Sequence, residues 1–197
     1  MQVENLKRKK YNIYGVSMKM RMRAALLLPL YLSFFAVFSS ASAQSFTVKN
    51  GQIDLTRWNP SSDATLELKG EWGFFWEELL QTSKPAPDFV TVPGVWTAKS
   101  KNGKNYPSFG YATYTLKVLL PKDASNLALH IKQPMTAVKV FANGKELGEI
   151  GKVGKTKKSY TPAAKTRNFP LPDSSELDIV IQVSNFDYTR SGLYNTV

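Results

Sequence analysis

The chain has no cysteine and a single histidine, His130. Without a thiol there is no disulfide, no thiolate metal site, no thiol nucleophile and no lipid-bearing cysteine anchor. His130 sits in a strand-like stretch with no Ser or Asp at a suggestive spacing, so no nucleophile–base pair can be read around it. A Gly-rich phosphate loop, a cluster of metal ligands and a nucleophile elbow are missing as well. Glu77 and Glu78 are adjacent, which suits a solvated turn better than two carboxylates spaced for acid and base work. Helical periodicity of useful length and any repeat at a fixed period are also absent. The reading is a non-enzyme with no cofactor and no metal.

Net charge is +11 over 197 residues, but it is unevenly spread. Seven of the 26 Lys and Arg residues and one of the 15 acids lie in residues 1–43, which leaves residues 44–197 only mildly basic. That balance gives no reason to invoke nucleic acid. The most basic part, Lys152 to Arg167, has only Tyr160 within it and Phe169 just beyond, too few aromatics for stacking single-stranded bases. Anionic lipid headgroups or an acidic polysaccharide would suit that segment, and a solvated loop suits it better. A domain of this size buries enough surface to stand without disulfides, so the missing cysteines do not set the compartment.

The N-terminus does. Lys19, Arg21 and Arg23 precede an uncharged run from Ala24 to Phe38, which ends in Ser39-Ser40-Ala41-Ser42-Ala43. A positive region, an apolar region and small residues at a cleavage point form a signal peptide over residues 1–43. An uncleaved anchor is the alternative, but the apolar run is short for a span of about 20 residues. Pro29 and Ala41-Ser42-Ala43 favour cleavage, and Met18, Met20 and Met22 are alternative starts. Either way residues 44–197 are exported, to the periplasm or the outer face of a membrane.

The exported part is organised by Leu68 to Trp96. Trp72, Phe74, Phe75 and Trp76 fall within five residues, and Val92-Pro93-Gly94-Val95-Trp96 brings a further indole after a Pro-Gly turn. Rings that bury about 150–250 Å² each belong where a core is built. Alternation puts Trp72, Phe74 and Trp76 on one face of a strand, and Trp76 to Leu80 is expected to form one helical turn. Further strands are expected at Phe46–Val48, Gln52–Leu55, Gly110–Leu120, Leu127–Ile131, Ala137–Ala142, Lys145–Leu147 and Leu177–Val183. Asn50-Gly51 and Asn143-Gly144 supply tight turns, and residues 148–172 read as a polar, basic connection. Many short strands with turn signals every 8–12 residues or so predict an all-β antiparallel β-sandwich of the jelly-roll kind.

Gly70-Glu71-Trp72, Val92-Pro93-Gly94-Val95-Trp96, Gly110-Tyr111-Ala112-Thr113-Tyr114, Val140-Phe141-Ala142-Asn143-Gly144 with Leu147-Gly148, and Val183-Ser184-Asn185-Phe186 together resemble a galactose-binding-like jelly roll. Two groups carry it in this form. One is the exported sensor domain of bacterial seven-transmembrane receptors with diverse intracellular signalling modules. The other is the non-catalytic sugar-binding domain of β-galactosidase- and β-glucuronidase-type glycosidases, whose catalytic carboxylates lie in another domain. The run from Gly70 to Leu80 and the ending Asn185-Phe186 with Arg190-Ser191-Gly192-Leu193 look more like the receptors. The resemblance therefore implies a ligand-sensing domain followed by a seven-transmembrane domain in a longer parent chain. A carbohydrate-binding module of a secreted glycosidase and a protein-binding assembly domain are the alternatives.

Sugars are held by aromatic faces together with amide and charged groups, because a pyranose presents both C–H faces and hydroxyl edges. Residues of these types on expected loops and strand ends are Trp96, Tyr106, Tyr111, Asn185, Tyr188 and Arg190, which form the candidate site for a carbohydrate or other small molecule. Trp72 is expected in the core, and Trp96 either there or at the mouth. Asn185 has two open roles, in loop hydrogen bonding and in ligand contact. Asn143 reads as a turn former.

Overall fold

The computed structural model describes residues 45–60 and 65–194, and the signal peptide expected over residues 1–43 lies outside them. In chain order the strands are β1 (Gln52–Asp54), β2 (Gly70–Trp76), β3 (Asp88–Val92), β4 (Gly110–Leu119), β5 (Ala128–Ile131), β6 (Ala137–Ala142), β7 (Lys145–Ile150), β8 (Arg167–Pro170) and β9 (Glu176–Asn185). A large sheet runs β3-β2-β4-β9-β6-β7, with β1 also on β4, and a two-stranded ribbon pairs β5 with β8. The architecture is an all-β sandwich, antiparallel except for β1, which runs parallel to Lys117–Leu119.

Register explains why this sheet forms. β4 and β9 pair over ten residues, so Tyr114 meets Ile181, Leu116 meets Ile179 and Val118 meets Leu177. On the other side of β9, Val138 and Val140 sit opposite Val183 and Ile181. Because side chains alternate, all of these share one face, and all are buried. The ribbon closes over that face with Leu129, Ile131 and Phe169, which join the same core. Trp72 and Phe74 are fully buried, and Phe74 meets Tyr114 edge-on at 5.1 Å between ring centres.

The other face of the large sheet is covered too, by chain rather than by a second sheet. Thr113 Oγ1 accepts from Leu80 N at 3.0 Å and donates to Glu78 O at 2.8 Å, while Gln182 Nε2 donates to Leu80 O at 2.9 Å. Ser184 Oγ likewise donates to Gly154 O at 2.7 Å. These contacts account for Thr113, Gln182 and Ser184 being buried polar residues on a sheet face.

Several local expectations change. Trp76–Leu80 is a turn and not a helical turn: Glu77 has φ +57°, and its N–H donates to Tyr111 O at 2.9 Å, which ends β2 against β4. Phe46–Val48 contributes only an isolated bridge from Val48 to Gly70. The basic connection contains a strand, β8, whose Phe169 is its one buried residue. Asn143, at φ +49°, forms the β6–β7 turn.

Candidate ligand-binding site

The end of the sandwich where β4 begins and β9 finishes carries the residues selected from sequence, and most of them are built into it. Trp96 is fully buried, its Nε1 donates to Pro107 O at 2.7 Å, and its ring packs edge-on against Trp76 at 5.4 Å. Its ring therefore offers no face to a ligand, which resolves its two readings in favour of the core. Tyr106 is half-buried and packs at 4.9 Å on Phe74 and 5.3 Å on Trp76. Its Oη donates to Asp88 Oδ2 at 2.8 Å.

Asp88 is itself buried and holds a small polar knot. It accepts from Ser100 Oγ at 2.6 Å, from Tyr106 Oη, from Phe89 N at 2.8 Å and from Asn102 N at 3.1 Å. Burial alone would raise its carboxyl pKa, but these donors, Ser100 foremost, outweigh that and hold it below the ordinary value. Burial, aided by the bond to Asp88, pushes the Tyr106 phenol up to about 12.

Asn185 is fully buried. Its Nδ2 lies within hydrogen-bonding distance of Ser108 O, Tyr188 O and Ser191 Oγ, while Oδ1 accepts from Tyr188 N at 3.1 Å. Of its two open roles the structure supplies loop hydrogen bonding. Tyr111 is half-buried, whereas Tyr188 and Arg190 stand exposed. The Arg190 guanidinium lies 5.2 Å over the Tyr194 ring. The structure thus packs Trp96 and Tyr106 on the same pair of rings, Phe74 and Trp76, ties Asn185 to the Tyr188 backbone, leaves Tyr111 half-buried, and exposes Tyr188 and Arg190.

The opposite end holds a recess of about 510 Å³ between the large sheet and the ribbon. Its floor is aliphatic, from the end of β4 and the start of β9. Leu66, Leu68, Leu127 and Leu171, all half-buried, form its sides. Trp58 is part of the wall; the Trp58 N–H donates to Leu55 O at 2.9 Å, which turns the chain after β1. Trp58 Nε1 is shielded from solvent and has no hydrogen-bond acceptor among the described residues. Exposed polar residues also line it: Glu67, Asn126, His130 and Asn168. Strand pairing sets His130 opposite Asn168, with its Nδ1 2.6 Å from Asn168 Oδ1, and alternation puts both side chains on the ribbon face opposite the buried Leu129 and Phe169.

Sequence reading missed this end because its parts are scattered. Trp58 stands alone just before Asn59-Pro60, and the four leucines are spread over three separate connections. The available signal was Trp58 itself, a large ring with no strand pattern around it to bury it.

No family model matches the chain. No curated protein matches it either. Among solved structures, a β-glucuronidase from Ruminococcus gnavus in complex with uronic isofagomine is similar at 17% identity and a TM-score of 0.47, covering 61% of this chain and 21% of that one. A Bifidobacterium dentium β-glucuronidase complexed with coumarin-3-O-glucuronide is similar at 18% identity and a TM-score of 0.44, covering 60% and 20%. The chain spans about a fifth of the length of these glucuronidase chains.

Proposed function

We propose that this chain is the non-catalytic, extracytoplasmic ligand-sensing domain of a bacterial transmembrane signalling receptor, and that it takes a carbohydrate-like small molecule at the mouth of the end recess. The observation that carries the reading is the recess itself, within the 300–1,000 Å³ or so typical of ligand pockets. Its lining combines an indole with a carboxylate and an amide, Trp58, Glu67 and Asn126, residue types that suit both the faces and the edges of a sugar. The family resemblance supplies the receptor context, with a seven-transmembrane domain following in the parent protein.

The recess is walled by both layers of the sandwich. An occupant touching the β4–β9 side and the β5–β8 ribbon together favours whichever arrangement of the layers fits it best. The shift passed to an attached domain equals the difference in its affinity for the two arrangements and no more.

A thermal-shift screen of the purified protein against mono- and oligosaccharides tests this. The expected result is a rise in melting temperature with at least one saccharide, lost in Trp58→Ala. Absence of any saccharide response overturns the sugar reading.

A further inference from the structure

We infer that the ligand of this recess is an amphiphile, with a hydroxyl-rich head at the mouth and a single hydrocarbon tail inside, as in alkyl glycosides. This rests on the proposed sugar-binding reading and narrows it. The polar residues that line it, Glu67 and Asn126 among them, are exposed, while the sides and floor are aliphatic and include Leu66, Leu68, Leu127 and Leu171. A free sugar seated deep in such a cavity would lose water from its hydroxyls with nothing to replace it. Held at the rim, it would leave most of a 510 Å³ apolar volume unused. A hydrocarbon tail loses nothing by entering.

The test is calorimetric titration of the full chain with glucose, with hexyl, heptyl and octyl β-glucosides, and with octanoate, all below micelle formation. The expected result is affinity rising about fourfold per added methylene across the glucosides, with octanoate binding more weakly than octyl glucoside. Leu127→Asp, at the half-buried side of the recess, should flatten that series. If glucose binds as tightly as octyl glucoside, the tail is overturned and the sugar site stands. Octanoate binding as tightly as octyl glucoside overturns the hydroxyl-rich head. No binding by any member overturns both. Should Leu127→Asp fail to fold, the wild-type chain-length series decides alone.

Discussion

Asn185 reaches back across 77 residues to place its Nδ2 3.0 Å from the carbonyl oxygen of Ser108. The same amide group bonds the backbone of Tyr188 and the hydroxyl of Ser191, so one side chain holds the end of β9 and the loop after it against the start of β4. Asn185→Ala removes these bonds at once, although Ser191 Oγ still donates to Ser108 O, and each group left unsatisfied away from water costs about 1–3 kcal/mol. The expected loss is about 3 kcal/mol in urea unfolding, with ligand response at the opposite recess retained once the protein is folded. A folded Asn185→Ala variant of wild-type stability that had lost its ligand response would place the site at this end after all.

The Asp88–Tyr106 pair gives the protein a stability limit on each side of neutrality. Asp88 has a depressed pKa in the fold, so its contribution is present above the ordinary carboxyl value of about 3.9 and is lost as pH falls below it. Tyr106 has a raised pKa, so its contribution is complete below about 10 and is lost as pH rises toward its folded value of about 12. Denaturant midpoints measured against pH should therefore be flat for these two groups between about 5 and 9. Asp88→Asn should make the acid limb shallower, with Glu71 and Asp54 still contributing, and Tyr106→Phe the alkaline limb, to which the buried Tyr160 phenol also contributes. A Tyr106→Phe curve that matched wild type above pH 10 or so would separate that hydroxyl from Asp88.

Gly110 opens β4 at φ +153°, and a Cβ there would sit 2.5 Å from the Trp76 ring. Any side chain meets both an unfavourable backbone region and a ring that is itself packed on Trp96 and Tyr106. Gly110→Ala should cost about 2–3 kcal/mol, above the usual range for removing a strand glycine. Thermal unfolding checks it, and a Gly110→Ala variant as stable as wild type would mean that the ring moves aside without cost.

Strands were legible wherever alternation was long. β4, β6 and β9 follow directly from Tyr114-Thr115-Leu116-Lys117-Val118, Val138-Lys139-Val140 and Leu177-Asp178-Ile179-Val180-Ile181. β8 was not, because a four-residue strand with one buried Phe among Arg, Asn and Pro carries no period to detect. The turn at Glu77 was misread for a related reason. Trp76 to Leu80 has helix-forming composition, but Glu77 N is drawn to Tyr111 O across the sheet, a tertiary bond that no local pattern announces. The site reading failed differently. Aromatics near turns were taken as candidates for a ligand, yet at this end they pack on one another around Phe74, which leaves Tyr188 and Arg190 as the exposed members of the set. Burial is a property of the assembled sandwich and is not written in the spacing.

Two tryptophans now separate folding from binding. Trp96 is fully buried, packed on Phe74 and Trp76 and bonded to Pro107 O, so Trp96→Ala removes a large core volume and should cost about 3–5 kcal/mol. Trp58 is only half-buried, lies outside any strand and makes no hydrogen bond through its indole among the described residues, so its truncation should cost about half as much or less. Ligand response should show the reverse order. Trp58→Ala should abolish the thermal shift produced by octyl glucoside, while Trp96→Phe, which keeps most of the core volume, should retain it on a lowered baseline. Measuring both variants with and without ligand compares the two ends of the sandwich in one experiment, and a shift surviving in Trp58→Ala but lost in Trp96→Phe would move the site from the recess to the end where β4 begins.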